Sequence, residues 1–298
     1  TGLSYAADLD LDGTEEIVVD GNRLFLVKRE WLSESTKHQV KERILNGSVA
    51  GRATGRFTWN LVAGHQSVMV FDVRTLKLLW QKETPVAPFG LGARDGNAYV
   101  FDGEQVLSLN ADTGQVNWTS QKFSEAKVRY TTSAGCNLVC GKQRILLGSA
   151  AGKNMVALSA SDGTVVWQGE QYRSGRHSPK DLFLIDGAAW SAATLGASMT
   201  LPGVPSSAKR QSGRVTGYNL DDGKQVANFF TDSDVYIMNS RCHMSCATAN
   251  YLITSRTGAE LVSLKDQEWH LHHWLRGACL YGLMPANGLL YLPGHSCG

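Results

Sequence analysis

Leu109-Asn110-Ala111-Asp112-Thr113-Gly114-Gln115-Val116-Asn117-Trp118 reads as a strand, a tight turn and a second strand closed by a large aromatic. Asn and Asp cap their own backbone with a side-chain oxygen, and Gly accepts the positive φ that tight turns demand. The pattern returns at Phe71-Asp72-Val73-Arg74-Thr75-Leu76 with Trp80, and at Leu158-Ser159-Ala160-Ser161-Asp162-Gly163 with Trp167. A fourth copy, Tyr218-Asn219-Leu220-Asp221-Asp222-Gly223, has Ala227 at the aromatic position. Each copy sets an apolar residue before Asp, Asn or Ser, a Thr or Asp three positions later, and then a Gly or Leu. The turn positions 76, 114, 163 and 223 are 38, 49 and 60 residues apart.

A repeat decides the fold before any single residue does. Each unit is one small sheet with a connection that lengthens along the chain. Such a sheet cannot bury both faces alone, so neighbouring copies must stack, and radial stacking gives a β-propeller. Independent hairpins in a sandwich are the alternative, and the constant internal spacing of four copies argues against it. The pattern Ala111-x-Thr113-Gly114-x-x-x-Trp118 resembles the repeat of the PQQ-like (pyrroloquinoline-quinone-like) propellers. In that family the Trp docks one blade on the next; Trp80, Trp118 and Trp167 match, while Leu76 and Ala227 depart. The resemblance implies an all-β chain of four-stranded blades, with about five to six visible. It implies a single propeller domain over 1–298, continuing beyond both ends into a seven- or eight-bladed ring. Ser178-Pro-Lys-Asp-Leu-Phe183 and the stretch Trp274 to Tyr291 are similar to segments of large bacterial propeller-repeat proteins of the same type, which carry no activity over.

The whole chain agrees with a turn-rich β protein: 298 residues, 31 Gly, 7 Pro and 19% charged residues. A net charge of +2 gives no reason to expect nucleic acid or an anionic membrane as partner. No apolar run reaches the 18 residues of a spanning helix. Six cysteines, at 136, 140, 242, 246, 279 and 297, are compatible with local disulfides in an oxidising compartment, with buried free thiols, or with a metal site. A periplasmic or extracellular bacterial location is the expectation.

Taken in order, the chain opens on Asp8-Leu9-Asp10-Leu11-Asp12-Gly13-Thr14-Glu15-Glu16. Alternating carboxylates with a bending Gly suit a calcium loop, although Val19 stands where an EF-hand needs its Glu. The loop resembles that of integrin-type propellers, which implies Asp8, Asp10, Asp12 and Glu16 as side-chain ligands and Thr14 as a carbonyl ligand. A hairpin turning at Asp20-Gly21 follows, then a polar stretch from Ser33 to Ile44 that reads as a short helix or surface loop. The first blade is expected over 59–83, with residues 59–63 pairing with 67–71 across Gly64-His65-Gln66. The next three are expected over 84–121, 122–168 and 169–229, a degenerate fifth over 230–275, and then the start of a sixth. An insertion rich in Gly, Ser and Pro runs from Gly196 to Gly213.

Chemistry-bearing residues are sparse. The quinoprotein dehydrogenases of the superfamily oxidise alcohols or sugars with PQQ and calcium, so the resemblance makes both cofactors an expectation to test. The adjacent cysteine pair under which the alcohol dehydrogenases hold the quinone does not occur in this sequence. His270 and His272 share a strand face as imidazole ligands would, with His295 and Cys297 further on. Arg129, Arg173, Arg176, Arg241 and Arg276, with His243, lie in connections or at strand starts, where guanidinium forks could clamp an anionic ligand or peptide. The reading is therefore a non-catalytic scaffold that offers a funnel and loop faces to a protein or small ligand. The alternatives are a PQQ- and calcium-dependent dehydrogenase, and a sensor or carbohydrate-binding module fused to another domain.

Overall fold

The structure, a computed structural model, describes residues 12–31, 33–35, 38, 64–123, 136–148, 154–172, 181–194, 213–230, 245–254, 258–272, 274–275, 277 and 282–292. The described strands form five four-stranded antiparallel sheets and one hairpin. The first sheet runs β1 (Thr14–Asp20), β2 (Arg23–Trp31), β3 (Gly64–Asp72) and β4 (Leu78–Glu83). The second is β5 (Leu91–Arg94), β6 (Asn97–Phe101), β7 (Val106–Asn110) and β8 (Val116–Thr119). The third is β9 (Leu138–Cys140), β10 (Arg144–Leu147), β11 (Asn154–Ser159) and β12 (Val165–Glu170). The fourth is β13 (Phe183–Ile185), β14 (Ala188–Thr194), β15 (Gly213–Asn219) and β16 (Gln225–Phe230). The fifth is β17 (Cys246–Ala247), β18 (Tyr251–Thr254), β19 (Ala259–Ser263) and β20 (Trp269–His272). The hairpin is β21 (Met284–Ala286) with β22 (Leu289–Tyr291). In every sheet, strands follow one another in sequence order.

The first sheet corrects the sequence reading. Gly64, His65 and Gln66 form no turn; they lie inside β3, which pairs with β2 from Arg23↔Asp72 to Trp31↔Gly64. Residues 59–63, expected as a strand, lie outside the described residues. The opening hairpin thus supplies the first two strands of the first sheet, joined to the other two across a long connection. Residues 34, 35 and 38 are helical, and the rest of the stretch expected as helix or loop is largely outside the described residues.

Packing divides the chain into two compact units, residues 1–143 with 160–164, and residues 144–159 with 165–298. In the first unit, Phe25, Val27, Val68 and Val70 of the first sheet pack on Leu91, Ala98, Val100 and Leu109 of the second. Alternation along each strand puts these residues on one face. In the second unit, Ala188, Trp190, Val215 and Phe229 of the fourth sheet pack on Leu252 and Val262 of the fifth.

Three of the four recognised turns share one side-chain cap. Asp72 Oδ1 accepts the N–H groups of Arg74 and Thr75, and Asn110 Oδ1 those of Asp112 and Thr113, at 2.8–3.0 Å. Asn219 Oδ1 does the same for Asp221 and Asp222. The left-handed position falls on Gly114, Gly163 and Gly223, and in the first copy on Leu76 with φ 54°. A bulge follows in each outer strand, where Leu79, Asn117, Val166 or Val226 is left without a partner. The extra residue twists the strand and re-aims the next side chain, which is Trp80, Trp118, Trp167 or Ala227.

A fifth copy escaped the sequence reading. Ser263 Oγ accepts the N–H of Asp266, Ser263 N–H donates to the Glu268 carbonyl, and Gln267 takes the left-handed position at φ 58°. Its pairing runs on without a bulge.

Candidate functional site

Three indoles reach from an outer strand to the turn of the following sheet. Trp80 Nε1 donates to the Ala111 carbonyl at 2.8 Å and Trp118 Nε1 to the Ala160 carbonyl at 3.0 Å. Trp167 Nε1 donates to the Leu220 carbonyl at 2.8 Å. Each ring also covers the turn glycine. A Cβ on Gly114 would stand 2.8 Å from Trp80, one on Gly163 2.4 Å from Trp118, and one on Gly223 2.6 Å from Trp167. These glycines serve two ends, a positive φ and room for an indole. Ala227 supplies no ring to the fifth sheet; there Trp190, Leu264 and Trp269 fill the apolar layer instead.

Sequence reading missed an ionic partner to two of these contacts. Arg23, at the start of β2, donates through Nε and Nη2 to Asp112 Oδ1 at 2.8 and 2.5 Å. Arg144, at the start of β10, donates to the Asp221 carbonyl at 3.5 Å. Both turn residues sit two positions after the capping Asn. The signal was available as an Arg opening the second strand of one repeat and an Asp in the next turn. The pairs are 89 and 77 residues apart. N–H donors around Asp72, from Thr75 first, hold its carboxyl below the ordinary value.

A second cluster lies at the start of β1. Arg29 is 4% exposed and forms a two-point ion pair with Glu15, Nε–Oε1 2.6 Å and Nη2–Oε2 3.2 Å. Gln66 Nε2 donates to Glu15 Oε2 at 2.6 Å, and the Gln66 amide exchanges hydrogen bonds with both backbone groups of Val86. The next residue, Glu16, turns to the other side of the bulge between Thr14 and Glu16. Its Oε1 accepts from the N–H groups of Phe89 and, at 3.3 Å, Gly90; its Oε2 accepts from Leu91 at 3.0 Å. Burial pushes this carboxyl up to about 7, outweighing the three N–H groups that pull it down.

This bears on the expected calcium loop. Asp8 and Asp10 lie outside the described residues, Asp12 is exposed, and the Thr14 hydroxyl is buried without a hydrogen-bond partner. Glu16 does not fit a cation: both oxygens face N–H donors, a surrounding of the wrong polarity. Among the described residues no three His, Cys, Asp or Glu side chains converge as a metal set. His270 is exposed and 3.8 Å from Glu268, and His272 stands edge-on to Trp274. Arg129, Arg173, Arg176, Arg241, His243 and Arg276 lie outside the described residues.

Cys136, Cys140 and Cys246 are free thiols. Cys136 Sγ donates to the Pro88 carbonyl at 3.3 Å, so the pair 136/140 is not the local disulfide its spacing allowed. Burial raises all three: Cys136 well above its ordinary value, Cys140 to about 12 and Cys246 to about 11. The other three cysteines lie outside the described residues.

Four-stranded sheets in sequence order, three of them reaching the following turn through an outer-strand indole, are β-propeller blades. A family model described as outer membrane protein assembly factor BamB matches residues 28–185 and 64–234, more than half of the chain. The chain belongs to this family of PQQ-like repeat propellers. A search of curated proteins finds no match. Among solved structures it is similar to BamB from Moraxella catarrhalis, at 12% identity over 73% of this chain and 60% of that one, TM-score 0.45. A europium-containing methanol dehydrogenase matches at 11% over 88% and 51%, TM-score 0.46. The fission yeast SREBP-SCAP binding domains match at 11% over 76% and 64%, TM-score 0.47. The chain spans less than two thirds of the length of each.

Proposed function

We propose that this protein is a non-catalytic propeller scaffold working outside the cytoplasm, in the periplasm or beyond. Its connections and funnel face would take hold of a protein partner or a small ligand. The observation that carries the reading is the series of indole contacts from Trp80, Trp118 and Trp167. They fix each following turn through a backbone carbonyl, and a stiff frame of this kind is what lets loops specify binding. Membership of a family described by an outer-membrane assembly factor supports a protein as the partner. Arg129, Arg173, Arg176, Arg241, His243 and Arg276 are the side chains we assign to that contact, since they stand in connections or at strand starts in the sequence.

The test is enzymatic. The protein is incubated with PQQ and calcium and offered alcohols and sugars with an artificial electron acceptor. The proposal expects dye reduction no faster than in the protein-free control. Substrate-dependent, saturable turnover would overturn it in favour of a quinoprotein dehydrogenase.

A further inference from the structure

The loop between β4 and β5 is tied into three sheets at once. Its Phe89 carbonyl accepts the N–H of Leu138, before which Cys136 Sγ donates to the Pro88 carbonyl. Ala87 N–H donates to the Phe101 carbonyl, and Phe101 N–H to the Gly90 carbonyl. From the first sheet, Gln66 holds Val86 and Glu16 holds the three N–H groups. The loop is shaped so that these N–H groups converge. Phe89 sits at φ +60°, a strained conformation for an aromatic residue. A Cβ on Gly90 would stand 2.6 Å from the Ala87 carbonyl oxygen and 3.0 Å from that of Phe101, so only glycine fits. Successive N–H groups aimed into one concavity form a nest, the backbone's own receptor for an acidic oxygen pair.

We infer that the N–H groups of Phe89, Gly90 and Leu91 form a carboxyl-binding nest whose built-in occupant is Glu16. Glu16 is then the key that joins the first sheet to the second, and not a ligand of the acidic loop beside it. With that key removed, the nest is a site for a small external carboxylic acid such as formate or acetate.

Glu16→Ala tests this by chemical rescue. The variant should melt about 4–8 °C below the parent, the loss expected for several hydrogen bonds in a domain of this size. Sodium formate at pH 6 should then raise its Tm saturably towards the parent value. Sodium chloride at equal ionic strength should not, and formate should leave the parent unmoved. If the variant is recovered only by refolding, the yield in formate against chloride is the readout. Equal effects of formate and chloride on the variant would overturn the inference. So would a calcium-dependent rise in Tm seen in the parent and lost in Glu16→Ala, which would return Glu16 to the metal.

Discussion

Trp118 and Gly163 should be energetically inseparable, and a double-mutant cycle measures by how much. Trp118→Phe keeps a ring but deletes the N–H that Ala160 accepts at 3.0 Å. The orphaned carbonyl costs about 1–2 kcal/mol. Gly163 has φ +75°, and its Cβ would lie 2.4 Å from Trp118 Cε3 and 2.7 Å from Cζ3. Gly163→Ala therefore meets a backbone penalty of about 1–2 kcal/mol for the left-handed conformation. It meets an overpacking penalty of about 1–3 kcal/mol besides. In a Trp118→Ala background the ring is gone and only the backbone part remains. Urea denaturation of the parent, Trp118→Ala, Gly163→Ala and the double variant should give a coupling energy of about 1–3 kcal/mol. The same cycle run on Trp80 and Gly163 should give none, because Trp80 covers Gly114 and not Gly163. Additivity of Trp118 and Gly163 within about 0.5 kcal/mol would refute the reasoning.

Three further outcomes follow from the buried groups. Arg29→Met leaves Glu15 without its two-point partner at the edge of a buried layer; denaturation should show a loss of about 2–4 kcal/mol, and a loss below 1 would contradict the role. Cys136, Cys140 and Cys246 should resist a thiol reagent at pH 8 in the native state and react on unfolding, since burial keeps each protonated; rapid native labelling of any of them would contradict this. Glu16, raised from 4.5 to about 7, stabilises the fold fully below its ordinary value and loses that contribution as pH rises through 7. Between pH 5 and pH 8 the parent should lose up to about 3 kcal/mol more than Glu16→Gln, whose amide does not titrate; parallel pH profiles would contradict the burial of Glu16.

The repeat was legible because its chemistry is local. Asp72, Asn110 and Asn219 cap residues two and three positions on, and a glycine follows in three of the four turns. The fifth turn was hidden because Ser263 and Gln267 do the same work with less usual side chains. The first sheet was misjudged because β2 and β3 meet across a connection of some thirty residues, and no local pattern announces such a pairing. Glu16 read as a metal ligand because alternating acids look alike whether they face a cation or a backbone nest. What separated the two was the loop 73–75 residues away that supplies the N–H groups.

The most direct test of the scaffold reading is a calorimetric titration of the purified protein with PQQ, in calcium and again in chelator. The account predicts no saturable heat in either buffer. One-to-one binding in calcium, lost in chelator, would contradict it and identify a cofactor-binding propeller.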